Sequence, residues 1–150
     1  MKFLKLLFMI SVIHGECYAQ SNANDKKAIA MLKEFYVAHQ SIESTIRSAP
    51  PKVYVGKVDS LQKKYCTLEL RGKVKKYSEN GIDFLTNDKG IDSWSFKTMT
   101  IVRAQTNENI YLVCYDVLDV NYPKTPVKRH VVLHVGVLNE SGHYKVASVK

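Results

Sequence analysis

A stripe of Ala28, Met31, Leu32, Phe35, Tyr36, His39, Ile42 and Ile46 recurs in steps of three and four. This spacing predicts one face of a long helix opening at Asp25, whose carboxylate suits a first turn. The run "SAPP" ends it, because Pro50 and Pro51 remove donors and restrict the residues before them. "KVYVG" is a short apolar extension with no assigned element. Asp59, with Gln62 three residues on, has the arrangement of a capping box and predicts a second helical start. Leu61, Tyr65 and Leu68 form one stripe, and Cys66, Leu70, Val74 and Tyr77 an adjoining one. A cap at Thr67 and a glycine at Gly72 leave two readings, one broken helix or two helices. Asn80-Gly81 predicts the stop.

The period then changes. "KTMTIVRAQT", "NIYLVCYDVLDV", "VKRHVVLHVGVL" and "HYKVASV" are rich in β-branched and aromatic residues and predict an antiparallel meander. Val131, Leu133, Val135 and Val137 alternate with a mixed face. Treating "NESG" as the last turn pairs Val137 with Tyr144, Val135 with Val146 and Leu133 with Ser148. One apolar sheet face results, against which the helices pack.

The start of the chain adds a compartment. Lys2 and Lys5 precede an apolar run from Leu6 to Ile13, too short to span a bilayer, and Cys17-Tyr18-Ala19 offers small residues for cleavage before Gln20. The expectation is a signal peptide over 1–19, a flexible lead-in over 20–24 and a single α+β domain over 25–150, exported to the periplasm or the extracellular space. Lipidation at Cys17 is the rival reading, opposed by the charged Glu16 beside it. No second run predicts a membrane span. The net charge of +8 favours acidic partners or anionic surfaces. Nucleic acid is not expected, since the lysines are scattered in pairs and the chain is read as exported. Cys66 and Cys114 remain after processing, either bridged or as two buried thiols.

The stretches "AIAMLKEFYVAH", "YCTLELRGKV", "GIDFLTNDKGIDSW" and "GHYKVASV" resemble a family of small exported bacterial domains without assigned function. The order of elements resembles the nuclear-transport-factor-two-like (cystatin-like) cone, which implies helices packed on a curved antiparallel sheet around a cavity. Some relatives in that fold bind small molecules or catalyse isomerisation and dehydration. Their histidine–aspartate pairs do not map onto this chain residue by residue.

Candidate chemistry centres on residues 81–94, where Asp83, Asp88 and Asp92 lie near Trp94. A calcium loop opening at Asp83 puts Leu85 at position three, Asp88 where glycine is required, and lacks the final glutamate. His130 and His134 are about 13 Å apart along a strand, too far to share an ion. No metal, cofactor or catalytic set is therefore assigned. Asp83 and Asp92 read as turn formers between glycines, with Ile82, Phe84, Leu85, Ile91 and Trp94 as an apolar anchor. A ligand pocket is expected from Tyr36, Trp94, Arg103 and Tyr115, suited to a small apolar or anionic ligand. The leading expectation is a noncatalytic ligand- or protein-binding domain. One alternative is a small cavity enzyme using Asp83 or Asp92 with Tyr36 or His39 as general acid or base. Another is a homodimer through the exposed sheet face.

Overall fold

The computed structural model describes all residues except Met1, Ile82, Asp88, Thr106 and 120–126, and only the backbone at residues 2–22 and Asp119. Helix α1 spans Lys2–Glu43, α2 Pro51–Tyr65, α3 Leu68–Ser78 and the single turn α4 Ser95–Thr98. Strands β1 (Thr100–Arg103), β2 (Ile110–Asp119), β3 (Val127–Glu140) and β4 (His143–Val149) follow. No helix among the described residues is long and apolar enough to cross a membrane.

The α1 stripe buries Ala28, Leu32, Phe35, Tyr36 and His39. Ile46 is exposed, because the helix has already ended at Glu43 and residues 44–48 form turns. Asp25 is not at a helix start, since α1 is already helical there. Its carboxylate accepts a 3.1 Å hydrogen bond from the Tyr111 hydroxyl and lies 3.5 Å from Arg103.

The Pro50-Pro51 pair terminates less and initiates more than expected. Pro51 is the first residue of α2, where its missing N–H costs nothing and its fixed φ suits the helix. "KVYVG" is therefore helical, and Asp59 is internal, paired at 2.6 Å with Lys63 one turn on. The chain breaks at Cys66, which is extended, and Thr67 caps α3 by accepting from the Leu70 amide at 3.2 Å. The Thr67 amide donates 2.9 Å to the Val146 carbonyl, which ties the junction to the edge of β4. Lys145 Nζ donates to the carbonyls of Lys63 and Lys64, where the end of α2 gathers partial negative charge.

The strands form one antiparallel sheet in the order β1-β2-β3-β4. Val131, Leu133, Val135 and Val137 face inward as predicted, with Tyr111, Val113, Tyr115 and Val117 beside them. Each such side chain contributes about 1.5–3 kcal/mol by leaving water. The register of the last hairpin differs from expectation: Glu140 pairs with His143, and Val137 with Val146. Ser141 and Gly142 both have positive φ, 53° and 87°, the two-residue turn whose twist matches the strands. Each strand therefore runs further toward the turn, and a bulge at Gly136/Val137 shifts the pairing by one more residue, so that Gly136 meets Ser148 and Val135 meets Val149.

The architecture is α+β, with helices on a four-stranded antiparallel sheet, but the expected nuclear-transport-factor-two-like cone is not formed. The sheet is neither closed nor strongly curled, and β1 and β4 are separate edges. Closure needs the first and last strands to pair, which four neighbour-to-neighbour strands opening on a four-residue β1 do not achieve.

Candidate functional site

The linker from α3 to α4 crosses one end of the helix–sheet interior. Gly81 and Gly90 have φ of 73° and 71°, so the linker turns where glycine is free to turn. Asp83 Oδ1 accepts from the Leu85 amide at 3.0 Å, and its Oδ2 accepts from the Thr86 hydroxyl at 2.6 Å. Asp92 Oδ1 accepts from the Ser95 amide at 2.8 Å and its hydroxyl at 3.0 Å, while the Ser95 hydroxyl accepts from the Asp92 amide at 3.2 Å. Both aspartates thus fold their own turns. Asp88 and Ile82 lie outside the described residues.

Beneath the linker, Asp83 meets α1. His39 Nε2 stands 3.6 Å from Asp83 Oδ1, beyond a direct hydrogen bond but within ion-pair range. The other ring nitrogen of His39 is buried without a hydrogen-bond partner among the described residues. Burial alone would raise the Asp83 carboxyl, but His39, the Thr86 hydroxyl and the Leu85 amide together hold it below the usual carboxylate range. This carboxyl is therefore ionised at neutral pH, unlike an acid with the raised pKa that proton donation requires.

Of the four residues expected to share a pocket, Tyr36 and Tyr115 come together beneath the linker, while Trp94 and Arg103 lie apart from them. Tyr36 and Tyr115 are fully buried. Their hydroxyls donate to the carbonyls of Leu85 at 3.4 Å and Gly90 at 2.9 Å, so both pin the linker from below. Burial pushes the Tyr36 phenol far up, with Tyr115 and Asp83 adding to it, and burial likewise raises Tyr115. Trp94 lies on the surface, 38% exposed, with Lys97 Nζ 5.0 Å from its ring. Arg103 closes the far end of β1, in a polar basin of about 270 Å³ with Asp25, Glu108, Asn109, Asn139 and Tyr144.

A larger concavity of about 470 Å³, shallow and open to solvent, lies between α1 and α2. Ala38, Ile42, Val53, Leu61 and Tyr65 supply apolar walls, Gly56 and Ser60 leave room, and Lys57 and Lys64 are its only charged residues. Two acids lie close by: Glu43 accepts from the Tyr54 hydroxyl at 2.5 Å, and Glu34 accepts from the hydroxyl of the lining Tyr65 at 3.4 Å and acts on Lys64. Lys64 Nζ lies 4.7 Å from the Tyr65 ring. Sequence reasoning missed this groove because it gave residues 52–56 no element. Reading Pro51 as a helix start would have aligned Val53, Lys57, Ser60 and Lys64 on one face.

The outer sheet face is uncovered at its centre. Val102, Leu112, Cys114 and Val132 are neighbours there by register, with Val102 and Val132 exposed. His130 and His134 also lie on this face. His130 Nδ1 is 2.8 Å from Asp116, which Lys128 approaches at 2.7 Å. No group of histidine, cysteine, aspartate or glutamate side chains among the described residues is arranged to hold a metal ion.

No protein-family model matches the chain, and no curated protein does. Among solved structures, a protein of unknown function from Bacteroides thetaiotaomicron VPI-5482 is similar, with a TM-score of 0.71 and 24% identity. The match covers 89% of this chain and 95% of that one. At this identity the likeness establishes a shared fold with a bacterial protein of unexplained function.

Proposed function

We propose that the chain is an exported, noncatalytic binding domain that takes up a small, largely apolar ligand in the groove between α1 and α2. One observation carries the reading: an open concavity of about 470 Å³ between α1 and α2, walled by five apolar residues. The export part rests on the N-terminal basic and apolar run and the small residues before Gln20. The noncatalytic part draws support from the linker, whose two described aspartates are spent on their own turns. The test uses N-phenyl-1-naphthylamine, a neutral fluorescent probe. Gly56 lines the groove and a Cβ there meets no heavy atom within 4 Å, so Gly56→Phe introduces a ring at this position. The expected result is one probe site in the parent protein and its loss in Gly56→Phe, with an unaltered folded-state circular dichroism spectrum. Unchanged probe binding in the variant would remove the groove from consideration.

A second reading has its own observation, the uncovered patch of Val102, Leu112, Cys114 and Val132 on the sheet. This patch is the surface for a protein partner, a second copy of the chain included. Sedimentation over a hundredfold concentration range tests the self-association case. The expected dimer dissociates in Val132→Lys, and a monomer throughout excludes a homodimer.

A further inference from the structure

The charge on the chain is not spread evenly. Residues 51–78 carry eight basic side chains against two acidic ones, a large part of the net charge of +8. Both acids are already occupied, Asp59 by Lys63 at 2.6 Å and Glu69 by Lys73 at 2.7 Å. The groove is cut into this helical region, and its lining contains Lys57 and Lys64 but no carboxylate. Its walls are apolar and its two charged lining residues are cationic, which favours an anion, while Glu34 beside Tyr65 offsets part of that field.

We infer that the groove's ligand is a free anionic amphiphile, a long-chain carboxylate whose chain lies along Val53, Leu61 and Tyr65 and whose head group meets Lys57 and Lys64. The inference rests on the groove reading and adds the chemistry of the ligand. Lys57 and Lys64 are two helical turns apart, about 10.5 Å along the axis. A carboxylate midway is therefore about 5 Å of rise from each, a span that two four-carbon stems converge across. Both ammonium groups keep contact with water, so the head group needs no full desolvation while the chain leaves water. The apolar lining is limited to five side chains between two helices, an extent that suits a single chain.

Dodecanoate, dodecanol and phosphatidylglycerol vesicles, titrated against the full chain, separate the outcomes. Dodecanoate is expected to bind more tightly than dodecanol. The double variant Lys57→Gln/Lys64→Gln is expected to lose about tenfold in dodecanoate affinity, as two exposed ion pairs provide, with dodecanol unchanged. Raising the salt concentration to about 0.5 M should weaken dodecanoate selectively. Gly56→Phe should abolish both. Equal binding of the two compounds, indifferent to the double variant but lost in Gly56→Phe, overturns the anionic head group and leaves the groove. Binding of either compound that survives Gly56→Phe overturns the groove itself. Vesicle binding that needs both lysines, without capture of monomeric dodecanoate, overturns the free amphiphile in favour of a membrane surface.

Discussion

His39 Nε2 lies 3.6 Å from Asp83 Oδ1, so the first helix and the first turn of the linker meet through a histidine and a carboxylate. The two partners depend on each other unequally. Asp83 also accepts from Leu85 and Thr86, whereas His39 is buried with its other nitrogen unpartnered among the described residues. Asp83→Ala removes two accepted hydrogen bonds and leaves His39 beside no acid, and should cost about 2 kcal/mol. His39→Leu replaces an incompletely satisfied polar group by an apolar one of similar size, and should cost less than about 1 kcal/mol. Urea unfolding checks the order, and a larger loss for His39→Leu would show that the imidazole is the structural member.

The same carboxylate sets a direction for acid stability. Asp83 is held low against its burial by His39, Thr86 and Leu85, and Asp116 is held low chiefly by Lys128 and His130. Between each depressed native value and the unfolded value near 3.9, the unfolded chain binds more protons. The stabilisation is therefore complete above that ordinary value and is lost as pH falls through the native one. Asp83 is 35% exposed, so water screens part of the effect. Thermal unfolding followed from pH 6 to pH 2 should show a shallower acid loss in Asp83→Asn than in the parent protein. An identical slope would assign the acid sensitivity to other groups.

The hairpin shows where the sequence was readable and where it was not. Alternation at Val131, Leu133, Val135 and Val137 identified the buried face, because a half-buried strand must alternate. The register was missed because "NESG" was taken whole as the loop, while the backbone turns through Ser141 and Gly142 alone. The break at Thr67 was legible in its side chain, which is a good cap, but Pro51 was read as an end when proline serves equally at a beginning. The roles of Asp83 and Asp92 were legible because short acids beside glycine satisfy local amides. The groove was not legible, since it depends on how α1 and α2 lie against each other. Nor did spacing reveal that Tyr36 and Tyr115 turn inward to hold the linker.

The hairpin turn itself makes a prediction. Gly142 has a φ of 87°, a conformation that costs an L-residue about 1–2 kcal/mol. Gly142→Ala should lower stability by that amount. Ser141→Asn should raise it by a few tenths of a kcal/mol, because asparagine followed by glycine is the preferred pair in this turn. Urea midpoints at constant slope decide both, and a neutral Gly142→Ala would show that the turn relaxes to another type.

The two cysteines of the folded region make the most direct chemical test. Cys66 sits beside β4, bridged to Val146, and Cys114 lies on β2 opposite Thr100 and Val132. Three strand spacings, about 14 Å, separate them, more than the roughly 7 Å a disulfide tolerates, and both thiols are free. Burial pushes the Cys66 thiol up to about 12, and the cations of Lys145 and Arg71 offset only part of this. Cys114 is half-buried on the uncovered sheet face. At pH 8 the thiolate of Cys66 is therefore scarce as well as enclosed, and alkylation by iodoacetamide should favour Cys114 by about a hundredfold or more. Peptide mapping, which also separates Cys17, reads the two rates individually. In about 6 M urea burial is lost and the rates should converge. Equal rates in the folded protein would mean that the α2–α3 junction opens often enough to expose Cys66.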